Sequence, residues 1–96
     1  MESPALYVHP MIVLELKFEA TVERLDARPA HRDVLERLKG AGTLVAAGPW
    51  SDDSGALLVF DTDEAMLSTI IDEDAYYSVH GVSIVSIREW SPIVGP

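Results

Sequence analysis

The order of its periodic segments restricts the fold of this 96-residue chain more than any other feature. Residues 11–18 alternate between apolar and polar side chains, which predicts a strand with one buried face. A polar connection over residues 19–28 follows, and Pro29 suits the first turn of a helix because its missing N–H is not needed there. Apolar residues at helical spacing continue this helix until Gly40 and Gly42 end it.

The second half of the chain predicts three more strands and one more helix. Residues 43–47 form the expected second strand, which Gly48 and Pro49 stop, and residues 56–60 form the third. Asp63 is the expected N-cap of the second helix. The apolar stripe of that helix contains Met66, Leu67, Ile70 and Ile71. With a last strand over residues 82–90, the order β-α-β-β-α-β predicts an α+β, ferredoxin-like fold: a four-stranded antiparallel sheet with both helices on one face.

Two of the predicted strands are apolar on both faces, although two helices can cover only one face of the sheet. Residues 56–60 are apolar throughout, and the last strand offers Val82 and Ile84 on one face with Val85 and Ile87 on the other. A half-covered sheet should alternate cleanly. We therefore expect the uncovered face to meet a second subunit, giving a homodimer, or a ligand. Residues 11–91 form the expected domain, with residues 1–10 as an N-terminal arm and residues 92–96 as a tail.

The charge of the chain argues against two classes of partner. Sixteen acidic residues against seven basic ones give a net charge of −9, which repels nucleic-acid phosphates and anionic lipid. No apolar run approaches the roughly 18 residues of a membrane span, and the N-terminus does not resemble a signal peptide. A cytoplasmic location is therefore the expectation. The chain has no cysteine, so thiolate chemistry is excluded.

His31 is the strongest candidate for chemistry. It lies three and four residues before Val34 and Leu35, so helical spacing turns it inward near the start of the first predicted helix. An inward histidine can act as a general base, because imidazole titrates near neutrality. A partly buried histidine that bonds to the backbone is the alternative. Asp72, Glu73 and Asp74 follow the second helix, where the dipole disfavours acids, so at least one of them is expected to have another role.

Other polar and aromatic residues fit the wall of a pocket. Asp52, Asp53 and Ser54 lie in the connection between the second and third strands and are candidates to line a pocket there, and Trp50 and Tyr76 can supply apolar walls. Turn chemistry and core packing are the alternative explanations for these residues. Histidines and acids are present without the spacing of a metal site, and no nucleotide-binding glycine motif occurs. No metal or cofactor is therefore expected.

Several short segments, taken together in order, resemble the YciI-like family, also described as the YCII-related domain. The resemblance covers most of the chain, from Met11 to about Trp90, and its motifs are moderately specific together. They are Ala30-His31-Arg32-Asp33-Val34-Leu35, Gly42-Thr43-Leu44-Val45-Ala46-Ala47-Gly48-Pro49-Trp50, Ser54-Gly55-Ala56-Leu57-Leu58-Val59, Asp74-Ala75-Tyr76, Gly81 and Arg88-Glu89-Trp90.

The resemblance implies a dimeric ferredoxin-like fold and a His–Asp pair in a cleft, here His31 and Asp74. Family members usually have a proline after this aspartate, where this chain has Ala75. One branch of the family resembles an HCl-eliminating enzyme for a chlorinated aromatic. The leading hypothesis is thus a cofactor-free lyase or isomerase acting on a small cyclic or aromatic substrate, with Trp50, Asp52, Ser54 and Tyr76 near that substrate. A ligand-binding or accessory module without turnover and a purely structural dimer are the alternatives.

Overall fold

The computed structural model of the protein describes residues 10–95 and has the predicted element order. The elements are β1 (Met11–Phe18), α1 (Val22–Gly40), β2 (Leu44–Pro49), β3 (Gly55–Phe60), α2 (Glu64–Glu73), a 3-10 helix (Ala75–Ser78) and β4 (Val82–Trp90). The four strands form one antiparallel sheet in the order β2-β3-β1-β4, which confirms the ferredoxin-like prediction. Apart from Pro10, the predicted arm lies outside the described residues.

The core is centred on β1 and β3, the two strands that have neighbours on both sides. Leu14 pairs with Leu58 and Ile12 with Phe60, and all four side chains are buried. Paired residues of adjacent strands share one face of the sheet. The alternation in residues 11–18 therefore correctly identifies the face of β1 that is buried in the core.

The predicted faces of β4 are correct for Val82 and Ile84, which pair with Phe18 and Leu16, and wrong for Ile87. Ile84 pairs with Leu16 and Ile87 pairs with Leu14, with a shift of register between the two pairs. The strand therefore contains a bulge, in which one extra residue interrupts the alternation. Ile84 and Ile87 consequently lie on the same face of the sheet, rather than on opposite faces as strict alternation predicts.

Helix α1 begins at Val22, so residues 22–28 are helical and the predicted start at Pro29 is wrong. Thr21 is the N-cap, and its hydroxyl accepts a hydrogen bond from the Arg24 N–H at 3.1 Å. A proline inside a helix costs about 3 kcal/mol relative to alanine. Tertiary contacts hold the first turns of α1 in place despite Pro29. One of them is the hydrogen bond that the Thr21 hydroxyl donates to the His80 carbonyl at 2.6 Å.

The remaining boundaries follow local rules more closely. Gly42, at φ 81°, donates to the Lys39 carbonyl and Thr43 donates to the Leu38 carbonyl, which is the Schellman ending of α1. Asp63 caps α2 as predicted. Strand β2 continues through Pro49, contrary to the predicted stop, because an edge strand tolerates a missing N–H. Within residues 10–95, no helix is long and apolar enough to cross a membrane.

Candidate functional site

His31 and Asp74 form a buried pair between α1 and the segment that follows α2. Nδ1 of His31 lies 2.6 Å from Oδ2 of Asp74, and both side chains are only 7% exposed. A carboxylate can only accept, so the proton of this hydrogen bond resides on Nδ1. His31 lies in the middle of α1 rather than near its start, since the helix begins earlier than predicted.

Asp74 is positioned by its own local turn. It ends α2 and is the N-cap of the 3-10 helix, where its Oδ1 accepts the Tyr76 backbone N–H at 3.0 Å. One oxygen therefore caps a helix while the other holds His31. This second role explains why an acid follows the C-terminus of α2, where the helix dipole does not favour it. The cap forms with Ala75 as the residue that follows Asp74.

Two tyrosines from the 3-10 helix fix the plane of the imidazole ring. The Tyr76 ring stacks on His31 at 4.1 Å and 10°, and the Tyr77 ring meets it edge-on at 5.2 Å and 88°. The Tyr77 hydroxyl is buried and has no hydrogen-bond partner among the described residues. Burial first, then the nearby Asp74 and Tyr76, raises the pKa of Tyr77 well above its ordinary value, so this phenol stays neutral.

A cleft of about 500 Å³ opens beside this pair, between α1 and the β2–β3 side of the sheet. His31 and Tyr76 line it, together with a set of apolar residues that includes Phe18, Leu44, Ala56 and Leu58. Its volume lies in the range of clefts that hold small molecules. Nδ1 is occupied by Asp74, and Nε2 has no hydrogen-bond partner among residues 10–95. Nε2 is therefore the nitrogen that remains for a ligand.

Arg24 is the least exposed charged residue lining the cleft, at 3% exposure. Its Nε donates to the Glu19 carbonyl at 2.9 Å and its Nη2 donates to Asp53 at 2.9 Å, while the guanidinium lies 4.5 Å from the Phe18 ring centre. Burial alone would lower the pKa of Arg24, but Asp53 and the nearby Tyr76 hydroxyl raise it, so the group is a fixed cation. Its Nη1 is buried without a hydrogen-bond partner in the described part of the chain.

The residues predicted to contact a substrate divide into two groups. Tyr76 lines the cleft, whereas Trp50, Asp52 and Ser54 belong to the adjoining β2–β3 loop and are not among its lining residues. Asp52 instead accepts the Ser54 N–H at 3.0 Å, and the hydrogen bonds of Ser54 lower the pKa of Asp52. From this loop, Asp53 reaches the cleft and pairs with Arg24.

Sequence reasoning missed Arg24, and it named Asp53 as a candidate pocket residue without its pairing to Arg24. The sequence pattern places Arg24 in a polar connection, because Pro29 locally indicates the start of a helix. The spacing of Arg24, Arg28 and Arg32 would have placed all three on one helical ridge once the helix was continued through the proline. Asp53 adopts a positive φ of 59°, a conformation that aspartate tolerates in turns but that gives no clear signal in the sequence.

The structure also bears on metal binding. Among residues 10–95, no three His, Asp or Glu side chains are grouped closely enough to hold a metal ion. The groups that line the cleft include the hydrogen-bonded imidazole, basic and acidic side chains and an apolar floor.

Comparison with known proteins gives one match. A family model described as YCII-related domain matches residues 10–91, which is most of the chain. No curated protein and no solved structure matches the chain significantly. The matched range contains all the strands and helices of the fold and both members of the His31–Asp74 pair.

Proposed function

The chain belongs to the YCII-related domain family, and from this premise we propose that it is a cofactor-free enzyme of lyase or isomerase type. In this proposal, His31 and Asp74 perform general acid/base chemistry on a small cyclic or aromatic substrate. The observation that supports it is the position of the pair: Nδ1 is held by Asp74 at 2.6 Å, and His31 lines a cleft of about 500 Å³. General bases need this combination of a fixed ring and a reachable lone pair.

The chemistry follows from the atoms available. Asp74 keeps the proton on Nδ1, so Nε2 carries the lone pair and takes a proton from an acidic carbon of the substrate. In an isomerisation, the imidazolium returns that proton to a different carbon. In an elimination, the C–H electron pair becomes the new double bond, and the leaving group departs from the neighbouring carbon with its bonding electrons. Asp74 stabilises the imidazolium that forms in either case.

The experiment starts with a metabolite library screened by thermal shift, comparing the wild type with His31→Ala, and follows binders for turnover. The decisive variant is His31→Asn, because its amide keeps a donor for Asp74 where Nδ1 stood and lacks a base at the position of Nε2. Turnover should fall about a hundredfold or more, while the variant stays folded. Turnover that survives in His31→Asn would overturn the proposal.

A ligand-binding module without turnover is the second candidate. The observation that favours it is the burial of His31, which is only 6% exposed and packed against two tyrosine rings. Such a histidine can simply orient a ligand or complete the packing. Binding in the cleft that is retained by His31→Asn, with no chemical change in any bound compound, would favour this candidate over the enzyme.

We also propose a homodimer through the sheet face opposite the helices, in the cytoplasm. Leu57 and Val59 on β3 are partly exposed and pair with Glu15 and Val13 on that face, and Val85 and Trp90 are exposed on β4. An isologous interface of this kind should bury about 1,200 Å² or more. Light scattering should give twice the mass of one chain, and a monomer at micromolar concentration would contradict the dimer.

A further inference from the structure

The basic residues of this acidic chain are concentrated on one site. The sequence has seven lysines and arginines, and four of them, Arg24, Arg28, Arg32 and Lys39, line the cleft beside His31. Among residues 10–95, only two acids, Glu36 and Asp53, line the same cleft. The cleft therefore has an excess of positive charge in a chain whose net charge is −9.

The arrangement along α1 is unfavourable in the absence of a ligand. Arg24, Arg28 and Arg32 follow one another at i, i+4 and i+8, and like charges at this spacing destabilise a helix. Asp53 compensates Arg24, but in the described part of the chain Arg28, Arg32 and Lys39 have no ion-pair partner. An anion beside this ridge would remove the repulsion.

Arg24, the buried member of the Arg24–Arg28–Arg32 ridge, supplies a second, independent observation. Arg24 is 3% exposed, yet its Nη1 has no hydrogen-bond partner among the described residues. The Tyr76 hydroxyl lies near enough to influence the guanidinium but makes no hydrogen bond with Nη1. Buried arginine nitrogens are normally satisfied, and a carboxylate is the group whose geometry matches a guanidinium fork.

We infer that the cleft is selective for a small organic acid, with a carboxylate on the Arg24–Arg28–Arg32 ridge and an apolar ring on the floor formed by Leu44, Ala56 and Leu58. This inference rests on the proposed role of the cleft and names the substrate class for it. The ridge is continuous with His31 along the same helix.

The test uses pairs of compounds that differ only in charge: benzoate with benzamide, and phenylacetate with phenylacetamide. Binding is followed by backbone amide shifts in NMR, which locate the ligand on the protein. The wild type should bind each acid about tenfold more tightly than its amide, with shifts in α1 and β3. Arg28→Gln and Arg32→Gln should each weaken acid binding by about two- to fivefold and leave the amides unaffected.

Arg37→Gln is the matched control, because Arg37 lies on the same helix and does not line the cleft. It should leave acid binding unchanged. The inference is overturned if neither acid shifts the cleft residues, if the amides bind as tightly as the acids, or if Arg37→Gln weakens binding as much as Arg28→Gln. These outcomes concern binding alone, whereas the proposed acid/base chemistry fails separately, through turnover that survives in His31→Asn.

Discussion

The two helices lie on the same face of one sheet and bury opposite kinds of residue. The ten-residue α2 buries Leu67 and Ile70. The nineteen-residue α1 buries Arg24 and His31, and its apolar residues Leu35 and Leu38 are only partly buried. A cation and a histidine are costly to remove from water unless they are paired. Helix α2 therefore contributes to the core, while α1 carries polar groups whose burial needs a different explanation.

The explanation lies in the partners that each helix has. Leu67 and Ile70 belong to the apolar cluster of the core together with Phe60 and Leu58. His31 and Arg24 are held by carboxylates from two other segments, Asp74 and Asp53, and each retains one nitrogen without a hydrogen-bond partner among residues 10–95. A buried side chain that keeps one nitrogen without a hydrogen-bond partner is typical of binding sites rather than of cores. The comparison leads us to propose that α2 mainly contributes stability and that α1 carries the proposed ligand chemistry.

Truncating the buried face of α2 should have the largest effect on stability. Leu67 is 2% exposed, so Leu67→Ala should lower the free energy of unfolding by about 2–5 kcal/mol through lost burial and the cavity left behind. Denaturant unfolding measures this loss. Among molecules that remain folded, the affinity of the cleft for benzoate should not change. A weakened cleft with intact stability would reverse the assignment of the two helices.

Removing the acid that links the two helices should have a smaller effect on stability. Asp74→Ala removes the acceptors of His31 and of the Tyr76 N–H, and should cost about 1–3 kcal/mol. Turnover should also fall, although less than in His31→Asn, because water can partly replace an orienting group. Asp72→Ala is the control, since Asp72 is an exposed acid in the last turn of α2. Equal losses in both variants would show that Asp74 has no special role.

Replacing Ala75 by proline, the residue that the family resemblance leads us to expect there, should stabilise the protein slightly. Asp74 has extended backbone angles, φ −111° and ψ 107°, which suit a residue that precedes proline. Ala75 is the first residue of the 3-10 helix, where proline is also tolerated. Ala75→Pro should therefore raise the free energy of unfolding by about 0.4–1 kcal/mol, by restricting the unfolded chain. A loss of stability would indicate that the Asp74 cap needs a more flexible turn.

The smallest expected effect concerns Tyr77, which contacts His31 from the 3-10 helix. Tyr77→Phe removes a buried hydroxyl without a partner and should change stability at neutral pH by less than about 1 kcal/mol. Because the pKa of Tyr77 is raised by folding, the wild type should lose stability as the pH rises above the ordinary tyrosine value of about 10. Unfolding measured against pH should show a weaker alkaline loss in Tyr77→Phe. An unchanged alkaline loss would assign it to other groups.

The same comparison explains how far the sequence predicts the structure. Helix α2 could be read almost completely, because Asp63 caps it and Leu67 and Ile70 mark its buried face. Helix α1 could not, because Pro29 locally indicates a helix start while the Thr21 cap and the tertiary bonds of Arg24 extend the helix beyond it. The His31–Asp74 contact was predicted from the family resemblance and the inward spacing of His31, and the structure places the two side chains in contact.

Other features depend on information that periodicity does not contain. The bulge in β4 depends on its register with β1, so the shared face of Ile84 and Ile87 could not be read from alternation. The basic wall of the cleft depends on the true start of α1, which brings Arg24 into line with Arg28 and Arg32. Asp53 reaches Arg24 through a turn conformation that gave no recognisable signal.

The central claim is that His31 presents a free lone pair on Nε2 to the cleft while Asp74 holds its Nδ1 proton. Long-range proton–nitrogen NMR correlations of the imidazole ring measure this directly, with His31→Asn used to assign the signals. We expect the neutral ring to carry its proton on Nδ1, where Asp74 accepts it, and the Nε2 shift should move when benzoate fills the cleft. A proton found on Nε2, or an Nε2 shift that stays fixed when a ligand occupies the cleft, would contradict the account.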